Sequence, residues 1–398
     1  MTFQKIADAL EIKEYPSELE KYYPIPKERE AELCSLSLID RLQEQFQLFG
    51  TYYPEVRAGF EDLNNDPVRK VCMDVYSLYL KDSTLQEARR LKCPRCTGTP
   101  GSNMLGLLIH LPSVETNYQN LLRRGFTDPE ARACLEAYRI YLWEVKEFRN
   151  GFIGLPPAIS RWVTNFTKGE IVYPGFCGLN YQLSSLPQDK SPYFIKNKET
   201  GRILPIFPDK QMLHRSGIPL GSAGAEDDLG SFETTFEETP TAYIGHPVLS
   251  CKVSPNKEIY PKDKWELALG PGDDVINFHL FYQTDLTPET VEKSMEAGRE
   301  IITRCFPERN FKAFHCSSWV LSPILNEVLG EKAKISSFSS RFVRYPGLSK
   351  AKSVYGYVFN GTYDSDEELP ETTSLQRGLK QRLLAGDYVY DTKGIILF

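Results

Sequence analysis

The spacing of apolar residues changes period once, near residue 168, and no other feature limits the possible folds as strongly. Before that point the spacing is helical. Over 128–149, Leu135, Tyr138, Leu142, Val145 and Phe148 recur at three-to-four-residue steps, which places them on one face of a helix. Thr127 or Asp128 suits the cap, Pro129 the first turn, and Gly151 and Gly154 the stop. Similar patterns cover 37–48, 66–79 and 114–124. After Lys168-Gly169 the chain turns to short runs of Val, Ile, Phe and Tyr between Pro, Gly, Asn and Asp clusters, the pattern of strands and turns. Strands are expected at 171–173, 179–183, 193–196, 202–207, 211–214, 231–237, 242–243, 275–282, 311–320 and 354–359. Helices are expected at 287–305, from Ser322-Pro323 onward, as a turn at 336–343, and at 375–384, with 388–397 extended. The fold class that follows is α+β: an all-α domain over 1–168, then a mixed α/β domain over 169–398. Within the second, the succession of strand, helix and strand over 275–320 calls for parallel pairing through a right-handed crossover.

Composition narrows the function. The 398 residues carry 47 Lys and Arg against 53 Asp and Glu, and a net charge of -6 offers no general attraction for a phosphate backbone, so no nucleic-acid partner is expected. The longest apolar stretches, 104–111 and 389–398, fall far short of the roughly 20 residues that span a bilayer, so no membrane partner is expected either. Asp8, Glu11, Lys13 and Glu14 interrupt the apolar core that a secretion signal needs. Nine cysteines without regular spacing suit reduced thiols, hence a cytoplasmic protein.

Short motifs are few. Cys93-Pro-Arg-Cys96 has the spacing of a half metal site or a redox pair, but no second such pair completes four zinc ligands, and an ordinary loop reads as well. Gly217, Gly221 and Gly224 match neither the dinucleotide fingerprint nor the P-loop, which leaves a hairpin connection. No Gly-x-Ser-x-Gly elbow, His-Glu-x-x-His motif or kinase signature occurs. Of five histidines, His279 and His315 fall on the expected strands of the crossover unit, where imidazole is able to take a proton near neutral pH or simply to bond a core carbonyl. Cys316 adjoins His315, but strand alternation sends the two to opposite faces. Glu266, beside Trp265, is a base if buried and a surface carboxylate otherwise.

A longer, ordered series of segments resembles a known family. It comprises Leu213-His-Arg-Ser-Gly217, Ala242-Tyr-Ile-Gly-His-Pro247, Leu267-Ala-Leu-Gly-Pro-Gly-Asp-Asp-Val-Ile-Asn-Phe-His279, Thr287-Pro-Glu289 with Ser294, Phe314-His-Cys-Ser-Ser-Trp-Val-Leu-Ser-Pro-Ile-Leu325 and Leu369-Pro-Glu-Thr-Thr-Ser-Leu-Gln-Arg-Gly-Leu-Lys380. Together these resemble bacterial acyltransferase-domain proteins that join a helical N-acyltransferase N-terminal domain to a GNAT-like C-terminal domain, and 161–183 is similar to the junction between the two. The resemblance implies transfer of an acyl group from a coenzyme A thioester to a small-molecule or peptide amine near the interdomain cleft, with acetyl-CoA or another acyl-CoA as co-substrate and no metal. It further implies two splayed strands, 275–282 and 311–319. The first uses its backbone N–H groups near Phe281 and Tyr282 to polarise the thioester, and the helix from Thr287 meets the pyrophosphate. His279, Glu266 and His315 are then the candidate bases. The chain departs from the pattern twice: no Arg/Gln-x-x-Gly-x-Gly/Ala loop precedes the helix, where Glu289 adds a negative charge, and His279-Leu-Phe281 replaces His-Ile-Pro. Two other readings remain at this point, a non-catalytic descendant of the fold that binds a metabolite, peptide or protein, and a zinc or redox protein built on Cys93 and Cys96.

Overall fold

The computed structural model describes residues 2–94, 100–149, 151–361 and 363–398. Its chain divides into two compact units. The first comprises Met1–Asn180, Phe281–Gln283 and Glu300–Phe306, and the second comprises Tyr181–Leu280, Thr284–Arg299 and Pro307–Phe398.

The first unit is helical up to residue 168, as the spacing requires. Helix Asp128–Glu144 opens with Pro129 in its first turn, and the Glu130 carboxylate accepts the Thr127 N–H at 2.8 Å. Its predicted stripe is buried at Leu135, Tyr138, Leu142 and Val145. A buried His110 links two helices, with Nε2 3.1 Å from Ser160 Oγ and Nδ1 3.2 Å from Thr167 Oγ1, which in turn meets Tyr138 Oη at 2.7 Å. Phe281 completes an aromatic cluster with Tyr141, Tyr173 and Phe166, at ring-centroid distances of 5.2, 5.3 and 6.1 Å.

A six-stranded sheet has its last four strands in the second unit. Its strands are β1 (Ile171–Val172), β2 (Leu179–Ser185), β3 (Asp274–Leu280), β4 (Phe311–Ser318), β5 (Val343–Pro346) and β6 (Thr392–Leu397), in the order β1-β2-β3-β4-β6-β5. β3 and β4 are parallel and joined by helix Pro288–Cys305, as expected of the crossover unit. β6 lies antiparallel between β4 and β5. One sheet face is aromatic: Phe278 stacks on Phe314 at 4.8 Å and contacts Tyr181, Phe338 and Phe342. The Tyr181 hydroxyl reaches Ser294 of the crossover helix at 2.8 Å. The other face begins apolar, with Val275, Ala313, Tyr345 and Ile395 in a buried cluster that includes Phe194, Phe207, Leu213 and Leu269. Strands Tyr193–Asn197, Ile203–Ile206 and Trp265–Leu269 form a separate antiparallel sheet. The stretch 217–230 is a hairpin connection, since Met212–Leu213 pairs with Phe232–Glu233 across it.

Three local expectations are corrected. Residues 354–359 were expected as a strand from their Val, Tyr and Phe content, yet Ser353–Tyr357 is a short helix. It buries Val354 against Leu325, Leu379 and Leu383, a packing that strand geometry does not provide. The strand expected over 275–282 ends at Leu280, because Phe281 is committed to the aromatic cluster. Trp265–Leu269, where no strand was expected, is paired with Tyr193–Asn197.

Candidate functional site

Side chains on the second sheet face become polar toward the C-terminal ends of β3 and β4. Alternation puts Val275, Asn277 and His279 on this face of β3, and register adds Ala313, His315 and Ser317 from β4. β6 and β5 contribute Lys393 and Tyr345, since Lys393 pairs in register with both Ser317 and Tyr345. The apolar end anchors the sheet on its core, and the polar end carries groups able to do chemistry.

The backbone opens at the same end. β3 and β4 are paired from Asp274 to Asn277 and from Phe311 to His315, yet each strand continues for three more residues, to Leu280 and Ser318. Beyond Asn277 and His315 the two strands part, and a strand whose neighbour has moved away presents backbone polar groups to whatever enters the gap.

Two histidines flank this parting. His279 is half-buried, with Nε2 2.9 Å from Gln182 Oε1 on β2. An amide oxygen only accepts, so Nε2 carries the proton and Nδ1 the lone pair. Burial disfavours the imidazolium and pushes the pKa of His279 down to about 4. His315 is held at both nitrogens: Nδ1 lies 2.8 Å from Asn277 Oδ1 and Nε2 3.1 Å from Tyr345 Oη. Its lone pair accepts the tyrosine proton, leaving none for a substrate. Burial first, then repulsion from Lys393 and His279, lowers its pKa to about 3. Both rings are held in the neutral form by burial.

The start of the crossover helix is already furnished with charge. Asp285 accepts from the Thr287 N–H at 3.1 Å and the Thr287 hydroxyl at 2.7 Å, bonds that hold its carboxyl down at about 2. Lys334 lies 3.3 Å from Asp285, and Arg341 pairs with Glu292 and donates to the Pro288 carbonyl. Glu289 sits in the first turn.

A parallel strand pair that splays, with a crossover helix starting at the opening, coincides with a family match over residues 179–396, to the GNAT-like C-terminal domain. The chain belongs to this GNAT-like family. The whole chain aligns with a solved acyltransferase in complex with decanoyl-CoA and teicoplanin, at 16% identity and a TM-score of 0.67 over 100% of this chain and 99% of that one. It aligns equally with a structure of acyltransferase in complex with CoA and 10C-teicoplanin, at 16% identity and a TM-score of 0.66 over 100% and 99%. At such identity the likeness establishes the fold. A search of curated proteins gives no match.

Within this GNAT-like frame the sequence-derived candidates separate. His279 and His315 share the polar face, and Cys316 is buried on the opposite one, as alternation requires. Glu266 is exposed on the separate antiparallel sheet, opposite Lys196, where it lacks the burial that would favour a catalytic base. Phe281 and Tyr282 lie past the end of β3. The Phe281 N–H donates to the Gly178 carbonyl at 3.0 Å, and the Tyr282 ring packs 4.2 Å from Phe148. Thr287, just before the helix, donates its N–H and hydroxyl to Asp285. Cys93 Sγ lies 3.4 Å from Ser160 Oγ, while Cys96 falls outside the described residues. Among the described residues no group of three or more His, Cys, Asp or Glu is arranged to hold a metal, and no helix is long and apolar enough to cross a membrane. Sequence reasoning missed Gln182, Asn277, Tyr345 and Lys393. The signal available was a polar residue at alternate positions of an apolar strand, as in Val275-Ile-Asn-Phe-His279 and Thr392-Lys-Gly-Ile-Ile-Leu397.

Proposed function

We propose that this protein is an acyl-CoA-dependent N-acyltransferase, moving an acyl group from a coenzyme A thioester to an amine. One observation carries the reading: β3 and β4 part immediately after Asn277 and His315, with the neutral imidazole of His279 at the opening. The pantetheine arm lies along the parted edge of β3, whose backbone donors past Asn277 polarise the thioester carbonyl. His279 takes a proton from the amine as its nitrogen attacks the carbonyl carbon, and the thiol departs as the carbon–sulfur bond breaks. His315, locked between Asn277 and Tyr345, positions the strand pair and adds no positive charge that would repel an ammonium substrate. The acceptor is a small molecule or peptide, and the lack of a disulfide among the described cysteines fits a cytoplasmic setting.

The carboxylates of Asp285 and Glu289 favour a second reading, a GNAT-like binding protein that has lost coenzyme A, because negative charge at a helix N-terminus opposes a diphosphate. Thioester consumption separates the two. Incubation with acetyl-CoA or decanoyl-CoA and a mixed panel of primary amines should release free thiol in an amine-dependent way, and His279→Gln should slow that release at least a hundredfold while the protein stays folded. Turnover unchanged in His279→Gln would remove the histidine from its role.

A further inference from the structure

Burial presses two half-buried lysines, Lys168 and Lys393, toward the neutral amine. Lys168 is compensated by the backbone carbonyls of Leu80, Lys81 and Ser83, all within reach of its Nζ. Lys393 has no hydrogen-bond or ion-pair partner among the described residues, and the charge that acts on it is a second cation, Lys190. Three other cations near the sheet are paired with carboxylates, Arg309 with Asp274, Lys312 with Asp273 at 2.6 Å and Arg341 with Glu292, and Arg344 donates to the Leu321 carbonyl at 3.3 Å. The nearest carboxylate along the chain, Asp391, is turned to the Ser353 hydroxyl at 2.7 Å. The lysine stem is also held in place, for a Cβ on Gly347 would come within 2.9 Å of Lys393 Cε. A desolvated ammonium without a counter-charge is costly, and such a group is readily explained by an anion that arrives with the ligand.

The position says which ligand. Lys393 lies opposite Ser317, two residues past the point where β3 and β4 part, and on the side of β4 away from β3 and the crossover helix. We infer that Lys393 forms an anion subsite for the acceptor, whose amine is therefore carried by a molecule with a carboxylate. Two strand spacings, about 10 Å, separate β3 from β6 where the strands are paired, and the gap widens past Asn277. A short peptide or peptide-like acid spans that distance between the amine at His279 and the carboxylate at Lys393. This inference rests on the acyltransferase reading.

The test is calorimetric titration of the full chain with N-octanoyl-glycylglycine and with its C-terminal amide, product mimics that differ only in charge, beside coenzyme A on the same samples. The acid is expected to bind at least tenfold more tightly than the amide. That preference should vanish in Lys393→Met and return in part in Lys393→Arg, while coenzyme A affinity stays within twofold in all three proteins. Equal affinities for acid and amide, or no binding of either by protein that binds coenzyme A, would overturn the subsite. A loss of coenzyme A affinity in Lys393→Met would also overturn it, by assigning the ammonium to a coenzyme phosphate. Failure of coenzyme A to bind any of the proteins would instead remove the reading beneath it, and a surviving preference for the acid would then mark an anion site in a protein of another function.

Discussion

His279 and His315 share a sheet face and a neutral charge, yet their hydrogen bonds give them different work. Gln182 meets Nε2 of His279, and Asn277 and Tyr345 meet the two nitrogens of His315. His315→Gln should therefore lower turnover modestly, by less than tenfold, where His279→Gln lowers it a hundredfold or more, as measured by thiol release under saturating thioester. Their depressed pKa values bear on stability as well. Together with buried His110, also pushed down to about 3, these groups bind fewer protons folded than unfolded below pH 6.5. The stability they lend is complete above pH 6.5 and is lost as pH falls toward 4. At pH 5 each costs roughly 2 kcal/mol relative to pH 7, so urea midpoints should drop over that interval, and should drop less in His110→Gln than in the parent protein. A flat midpoint between pH 7 and 5 would mean that the rings take up protons without penalty. At this scale the sequence placed both histidines on strands of the crossover unit, where the structure has them. It was silent on their tautomers, which depend on Gln182 and Tyr345, residues 97 and 30 positions away from their partners.

The crossover helix was legible in full, from the cap near Thr287 to Cys305, because Thr, Pro and Glu in succession state a helix start whatever the tertiary context. Its environment was not. Asp285 and Lys334 meet there from segments far apart in the sequence, and Tyr181 rests on Gly298 closely enough that a Cβ would lie 2.6 Å from its ring. Gly298→Ala should destabilise the protein by about 1–3 kcal/mol, read from thermal or urea unfolding, since either the aromatic ring or the helix must move. Glu289→Gln should tighten coenzyme A binding roughly two- to fivefold at low salt, with the gain fading as salt rises, because it removes a negative charge from the helix N-terminus. The misread element, 354–359, shows the opposite balance. Its residues suit a strand, but Val354 and Phe359 are buried among the helices Ile324–Leu329 and Ser374–Leu384, and that burial decides the conformation.

At the scale of the molecule, the single change of period near residue 168 foretold a helical region followed by a mixed α/β one. The contacts show what the period cannot: the first unit also recruits 281–283 and 300–306. Phe281 fills its aromatic cluster, so Phe281→Ala should cost about 3–5 kcal/mol on unfolding, and a fragment that ends at residue 180 should expose the apolar surface that Phe281 covers. Family membership fixes the architecture, while the proposed chemistry rests on the site itself: parted strands, a neutral imidazole and a lysine without a carboxylate partner on one face. The claim on which the rest depends is that this opening holds an acyl-CoA. Calorimetric titration of the purified full chain with acetyl-CoA and decanoyl-CoA, with adenosine 3′,5′-bisphosphate as the control that lacks the pantetheine arm, tests it most directly. Saturable binding that requires the pantetheine arm is the expected result, and no heat of binding at millimolar thioester would contradict the account.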